Sequence, residues 1–131
     1  MKKFVYEGNT YLIQIIDNYT FFSRNEVQEL LSDEVFVDEF LKETSNILID
    51  SEILYYKVVT VDSYPALEFT IKGTKELAGY SAKVIMKFWI IYYEDKIVYL
   101  QCAGLDGKEF KTLEILYNLI TTSVIFPEQY N

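Results

Sequence analysis

The stretch FWIIYYEDKIVYLQC, residues 88–102, decides the fold class, because it reads as two strands joined by a short turn. Residues 81–93 and 97–103 are rich in β-branched and aromatic side chains, and the segment Glu94-Asp95-Lys96 between them is polar. Two such runs with a short polar connection are typical of an antiparallel hairpin. We therefore expect an antiparallel sheet, with this hairpin as its centre.

Further strands are predicted upstream of the hairpin. Residues 66–72 alternate between apolar and polar side chains, as a half-buried strand does. The segment Ser63-Tyr64-Pro65 predicts a tight turn, since proline fixes its own φ and biases the preceding residue toward extended geometry. The polar residues 73–80 predict a loop, and Glu7-Gly8-Asn9 predicts the turn of an N-terminal hairpin. The predicted strands are residues 4–6, 10–16, 53–62, 66–72, 81–93 and 97–103.

Two helices complete the pattern. Ser23 and Glu26 have the spacing of a capping box, and helical apolar periodicity predicts a long helix over about residues 24–46, with a break at Ser32-Asp33. After a break at residues 104–107, apolar residues three or four apart predict a C-terminal helix that Pro127 ends. Strands and helices do not alternate one by one. The order predicts a single α+β domain over residues 1–131, an antiparallel meander with both helices packed on it.

Three segments of residues 37–126 carry a family resemblance. They are residues 46–56, where the helix runs into the meander, the corner VDSYPALEF at 61–69, and the central hairpin leading to the closing TSVIF at 122–126. Together they resemble the PsbP/Mog1-like module, although Ser63 stands where that family more usually has glycine. The resemblance implies an antiparallel sheet with a helix on each side. It also implies a binding or assembly factor without a catalytic signature.

Charge and composition exclude several classes of function. The chain has 20 Asp and Glu against 12 Lys and Arg, a net charge of −8, and a single arginine. Nucleic-acid binding needs clustered cations, so no nucleic-acid partner is expected. The absence of histidine removes the commonest metal ligand and the Ser/His and Cys/His catalytic pairs. We expect no catalytic residue, no metal site and no cofactor.

The compartment is inferred from the lone cysteine and the lack of long apolar segments. Cys102 cannot form an intramolecular disulfide, and its apolar surroundings predict a buried, unreactive thiol. Lys2 and Lys3 resemble the start of a signal peptide, but Glu7 follows before any apolar region. The longest apolar run, residues 88–93, is too short for a membrane span. We expect a cytoplasmic protein with no membrane partner.

The predicted long helix carries the candidate binding site. Five acids fall between its apolar positions and crowd its outer face, and two pairs among them lie at i,i+4. Such a face favours a basic protein partner, because complementary charge speeds docking. The alternative interpretation is a solvated face that only maintains solubility. The candidate partner-binding residues are Asp33, Glu34, Asp38, Glu39 and Glu43.

Two other features have a functional and a structural interpretation. Tyr64 and Tyr80 lie in predicted turns, where tyrosine suits recognition, whereas paired tyrosines such as Tyr55-Tyr56 are expected to cover both faces of the sheet. The segment 104–107 precedes a helix and offers backbone donors to an anion, but a helix cap involving Asp106 is the simpler interpretation.

These observations lead to three hypotheses. The first is a non-catalytic module, an immunity or antitoxin protein that neutralises a basic cognate toxin, as a monomer or weak homo-oligomer. The second is a PsbP/Mog1-like adaptor or assembly factor of a larger complex. The third is a carboxylate-dependent hydrolase or small-ligand carrier, which would need a buried acid in a deep pocket.

Overall fold

The computed structural model describes residues 2–6, 9–77 and 79–124. Within these ranges the chain forms six strands and three helices. In chain order they are β1 (Lys2–Tyr6), β2 (Asn9–Asp17), α1 (Arg24–Leu31), α2 (Glu34–Ser45), β3 (Ile49–Val61), β4 (Tyr64–Leu77), β5 (Tyr80–Tyr93), β6 (Lys96–Leu105) and α3 (Lys108–Thr122).

The strands form one sheet in the order β1-β2-β6-β5-β4-β3, and every neighbouring pair is antiparallel. Strands β3 to β6 are the predicted meander, and the N-terminal hairpin joins it where β2 pairs with β6. Helices α1 and α2 pack on one face of the sheet, here called the α1/α2 face, and α3 packs on the other, the α3 face. The predicted α+β class and antiparallel sheet are confirmed.

Each face of the sheet has its own core. On the α1/α2 face, Phe69 is fully buried, stacks on Phe88 with ring centroids 4.8 Å apart, and meets Phe40 of α2 edge-on. On the α3 face, Phe110 and Tyr117 pack against the sheet. Because both faces are covered, the central strands read as near-continuous apolar runs.

The helix after the N-terminal hairpin divides where the sequence predicted a break. Asp33 accepts backbone hydrogen bonds from Val35 and Phe36 at 3.0 and 3.3 Å, and so begins α2. The C-terminal helix is also present, but the prediction that Asp106 caps it is wrong. The N-cap is Gly107, without a side-chain bond, and the Asp106 amide instead donates to the carbonyl of Lys83 at 3.1 Å.

The loop predicted over residues 73–80 is wrong. Gly73 pairs with Val84, and the ladder continues to Leu77 and Tyr80. These residues are polar because the hairpin extends beyond the core, where backbone bonds hold it together without apolar side chains. Glycine is required at position 73 because the chain near Leu48 approaches it closely. A Cβ there would lie 2.8 Å from the Cβ of Leu48, so only glycine permits this approach.

The turn predicted at Ser63-Tyr64-Pro65 lies earlier than expected. Val61 pairs with Tyr64, so the connecting residues are Asp62 and Ser63, with φ of 47° and 66°. Both values are left-handed, as a two-residue type I′ turn requires. Pro65 is tolerated in β4 because it precedes the first β4–β5 pair, which begins at Ala66. The predicted turn at Glu7-Gly8 and the helix end at Pro127 lie outside the described residues.

Candidate protein-docking surface

Helices α1 and α2 each have a local signal that fixes where they begin. At α1, the Glu26 amide donates to the Ser23 hydroxyl at 3.2 Å and the Ser23 amide donates to the Glu26 carboxylate at 3.4 Å, which completes the predicted capping box. At α2, the Asp33 carboxylate makes the cap. The two helices bury Val27, Leu31 and Val37 against the sheet and turn their charged positions outward.

The outward side of this helix pair is strongly acidic. Residues 24–46 contain seven carboxylates and two cations, a local charge of −5 within a chain of net charge −8. All seven carboxylate residues are exposed. We call them the acidic surface: Glu26, Glu29, Asp33, Glu34, Asp38, Glu39 and Glu43.

All five predicted partner-binding residues therefore lie on one exposed surface, but they are not equivalent. Asp33 is occupied by its helix cap. Within the described part of the chain, the other four (Glu34, Asp38, Glu39 and Glu43) form no ion pair. Like charges at i,i+4 cost a few tenths of a kcal/mol each in helix stability. An opposite charge from a partner would remove that cost.

Large apolar side chains border the acidic surface. Tyr19 and Phe21 precede α1 and are 88% and 65% exposed, and Val35 in the first turn of α2 is also exposed. Their loop is held in place, since the amides of Asn18 and Phe22 donate to the carbonyls of Asp95 and Glu94 at 2.8 and 3.1 Å. Aromatic rings presented from a fixed loop lose little entropy on binding.

A second polar feature is buried between β3–β5 and α3. The Lys87 ammonium lies 2.9 Å from the Glu114 carboxylate of α3 and 3.7 Å from that of Glu68, and Trp89 donates its indole N–H to Glu68 at 2.8 Å. The Lys87 ammonium also lies 5.5 Å from the centre of the Tyr55 ring. We call Lys87, Glu68, Glu114, Trp89 and Tyr55 the buried ionic cluster.

Sheet register brings the buried ionic cluster together. Glu68 is opposite Trp89, and Thr70 is opposite both Lys87 and Tyr55, so all these side chains point to the α3 face. The sequence did not predict the cluster. Its only signal was the presence of a glutamate and a lysine within strand segments, and a strand pattern does not reveal which charges become neighbours.

The pKa of Lys87 indicates a structural role for this cluster. Burial lowers the pKa, but the hydrogen bonds from Lys87 to Tyr55 and Glu114 and the charge of Glu68 outweigh burial, so the pKa is raised above its ordinary value. The ammonium stays protonated and is not a nucleophile. It connects α3 to the sheet through Glu114.

Three further buried titratable groups, Tyr11, Cys102 and Tyr117, lie on the α3 face. Cys102 pairs with Tyr11 on one side and with Lys87 on the other. The Tyr11 hydroxyl shares a hydrogen bond of 2.7 Å with Thr121 of α3. Burial raises the pKa of the Cys102 thiol to about 12, which agrees with the predicted buried and unreactive cysteine.

We expect the buried side chains of Tyr11, Cys102 and Tyr117 to make the stability of the fold sensitive to alkali. Burial raises the pKa values of Tyr11 and Tyr117 from 10.0 to about 12, and that of Cys102 from 9.0 to about 12. The unfolded chain therefore loses these protons from about pH 9 while the folded chain keeps them, so stability falls as pH rises. The expected loss between pH 9 and pH 11.5 is at least about 2 kcal/mol.

Urea unfolding followed by circular dichroism at several pH values measures this effect. Cys102→Ala is the control, since it should remove the part of the loss that begins near pH 9. An unfolding free energy that stays constant to pH 11.5 would contradict the assignment of buried, protonated groups.

The tyrosines divide between core and surface. Tyr64 is buried rather than in a turn, and the Arg24 guanidinium lies 4.3 Å from the centre of its ring. Tyr80 is exposed at the start of β5, and Tyr92 and Tyr93 cover opposite faces of the sheet. The exposure expected for both tyrosines is therefore confirmed for Tyr80 and wrong for Tyr64.

Two findings concern metal binding and membrane spanning. No group of three or more Cys, Asp or Glu side chains in residues 2–6, 9–77 and 79–124 is arranged to hold a metal ion. In the same part of the chain, no helix has the length and apolar character needed to cross a membrane.

Comparison with known proteins adds information about the fold alone. No family model and no curated protein sequence matches the chain. The crystal structure of PA94 from Pseudomonas aeruginosa, a protein of unknown function described as a putative regulator, is similar with a TM-score of 0.66 at 8% identity, over 90% of this chain and 72% of that one. LpqN of Mycobacterium tuberculosis, described as involved in cell envelope biogenesis, gives a TM-score of 0.49 at 17% identity, over 86% and 60%.

Proposed function

We propose that this chain is a non-catalytic protein-binding module of the immunity or antitoxin type, which neutralises a basic cognate toxin. The observation that carries the proposal is the acidic surface, where four exposed carboxylates on α2 have no ionic partner among the described residues. A toxin that acts on nucleic acid needs a basic face to approach phosphates. An acidic surface that covers such a face would block substrate access.

The apolar border of the acidic surface supports the same proposal. Affinity in protein complexes is concentrated in a few apolar or aromatic anchors, while charge sets association rate and specificity. Phe21, Tyr19 and Val35 provide exposed anchors next to the carboxylates. The paired state of Lys87 and Glu68 favours a binding role over a catalytic one, because both groups are engaged with each other.

We further propose that the protein is cytoplasmic and that it is a monomer or weak homo-oligomer. The reducing conditions of the cytoplasm keep a buried cysteine such as Cys102 in its thiol form. The PsbP/Mog1-like resemblance stays a prediction.

We expect charge reversal on α2 to weaken binding to the protein encoded beside this chain's gene. Glu39→Lys with Glu43→Lys should raise the dissociation constant about ten- to hundredfold at physiological salt, because two favourable charges become repulsive. Calorimetry or surface plasmon resonance with the purified proteins measures this. Wild-type binding should also weaken between low and high salt.

The matched control is Glu76→Lys with Asp106→Lys, which changes the net charge equally but lies outside the acidic surface. Equal loss of affinity in both variants would contradict docking through α1 and α2. Absence of binding and of inhibition by the wild-type protein would overturn the function itself. Recovery of the chain in a large assembly, rather than with one partner, would support the adaptor hypothesis instead.

A further inference from the structure

Helix α3 is apolar on the side that faces away from the sheet. Phe110 and Tyr117 bury its inner side, whereas Ile115, Leu116 and Leu119 are 67%, 48% and 59% exposed. A helix at the surface of a globular protein normally turns charged and polar residues outward. Helices α1 and α2 do so, but α3 does not. Its outer side therefore has the composition of a contact surface.

The three exposed apolar side chains form one contiguous group, here called the α3 patch. Leu119 lies four residues after Ile115 and three after Leu116, so all three lie within about one turn on the same side of the helix. Among the α3 side chains that the structure describes, Lys111 is the only exposed charge. Glu114 reaches inward, to the buried ionic cluster. The outer side of α3 is thus an apolar surface with one cation toward its N-terminal end.

The charge distribution makes α3 the place where two copies of this chain can meet. The chain has a net charge of −8, so two copies repel each other in most orientations. Residues 24–46 have a charge of −5, whereas α3 contains two lysines and two glutamates and has no net charge. Because α3 packs on the opposite face of the sheet, a pair joined through α3 keeps both sheets between the two acidic surfaces. That separation exceeds the Debye length of about 8–10 Å.

Other occupants fit the α3 patch less well. A basic protein partner is attracted to the acidic surface, which lies on the other face of the sheet. Helices that lie on a lipid surface carry several lysines or arginines beside their apolar side chains, whereas Lys111 is the one exposed cation among the described side chains of α3. A second copy of this chain brings a patch of the same shape and needs no opposite charge.

We propose that two copies of this chain pair through the α3 patch, with their α3 helices antiparallel about a twofold axis. In this symmetric contact, Leu119 of each copy packs between Ile115 and Leu116 of the other. The axis crosses α3 at the level of Tyr117, so the two Lys111 residues lie at opposite ends, roughly 19 Å apart along the helices. One helix pair buries less than the roughly 1,200–2,000 Å² of a stable interface, so the dissociation constant is about 10–500 µM.

Sedimentation velocity of the full chain measures this association. The weight-average mass should rise from the monomer value of 15.4 kDa toward twice that value as the concentration increases from about 5 µM to about 1 mM. Salt should strengthen the dimer about two- to fivefold, because it screens the repulsion between two acidic chains. A chain that stays monomeric to about 1 mM, or a dimer that salt dissociates, overturns the inference.

Glutamate substitutions locate the contact. Leu119→Glu places a carboxylate at the centre of the α3 patch and should raise the dissociation constant at least about tenfold. Leu116→Glu should have the same effect, which keeps the test valid if one variant fails to fold. The matched control is Leu105→Glu, since Leu105 is 58% exposed but pairs with Val84, which belongs to the α1/α2 face. Equal losses in Leu105→Glu and Leu119→Glu overturn the inference.

Partner binding is a separate readout, because the α3 contact does not depend on the proposed function. Leu119→Glu should leave affinity for the protein encoded beside this chain's gene unchanged within about twofold, since the α3 patch and the acidic surface lie on opposite faces. A wild type that stays monomeric while Leu119→Glu weakens partner binding assigns the α3 patch to that partner and overturns the choice of a second copy. A monomeric wild type that binds phosphatidylglycerol vesicles, with binding lost in Leu119→Glu, assigns it to a lipid surface and also overturns that choice. A dimer that binds and inhibits no partner supports the α3 contact and counts against the toxin-binding function.

Discussion

Lys87→Met lowers the free energy of unfolding by about 3–5 kcal/mol, because it removes the buried ammonium from two carboxylates and leaves Glu68 with only the largely exposed Lys57 ammonium as a cation. The Lys87 side chain is 4% exposed and that of Glu68 is 10% exposed, so water cannot replace the lost interaction. Glu114 loses its contact of 2.9 Å at the same time, which weakens the attachment of α3 to the sheet. Urea denaturation followed by tryptophan fluorescence measures the change, with Trp89 as the probe inside the cluster.

Lys57→Met is the matched control for Lys87→Met. Lys57 approaches the same Glu68 carboxylate at 3.4 Å, but its side chain is 62% exposed, so its removal should cost less than about 1 kcal/mol. Adding Glu68→Gln to Lys87→Met should recover part of the loss, since the amide oxygen still accepts from Trp89 and the buried charge of Glu68 is gone. Similar costs for the two lysine variants would contradict a buried ionic cluster.

Phe69→Ala lowers the free energy of unfolding by about 3–5 kcal/mol, because it opens a cavity at the centre of the α1/α2 core. Phe69 is fully buried, stacked on Phe88 and in edge contact with Phe40, so neighbouring rings cannot move in to fill the space. Thermal and urea unfolding measure the change.

Phe21→Ala is the control for Phe69→Ala, as the same substitution at an exposed ring. It should change stability by less than about 0.5 kcal/mol, but it should weaken partner binding if Phe21 is an anchor. A cost below about 1 kcal/mol for Phe69→Ala would contradict the packing described for this face.

Local sequence signals predicted most elements. Ser23 with Glu26, and Asp33 at the helix break, are short-range patterns that fix helix starts regardless of the rest of the chain. The hairpin at residues 88–102 could also be predicted from local sequence, because two apolar runs joined by a short polar turn are typical of a hairpin. The sequence-based predictions are wrong where pairing between distant segments determines the secondary structure. Residues 73–76 carry no large apolar side chain and form a strand only because β5 lies beside them.

The candidate site shows the same division between features that local sequence predicts and features that depend on long-range contacts. The five predicted acids lie on one surface because helical spacing alone places them outward, and this could be derived from residues 33–43. That Tyr19 and Phe21 border the same surface required knowledge of the bonds from the Asn18 and Phe22 amides to Asp95 and Glu94.

The sequence by itself determined that this is an acidic α+β chain without histidine, with an antiparallel sheet, a capping box at Ser23 and an outward row of carboxylates. Those properties depend on composition and on contacts a few residues apart. Only the tertiary structure decided that Lys87, Glu68 and Glu114 form one buried ionic cluster, and that β3 is the last strand of the sheet among the described residues. Strand order and register bring distant residues together, and no local periodicity encodes them.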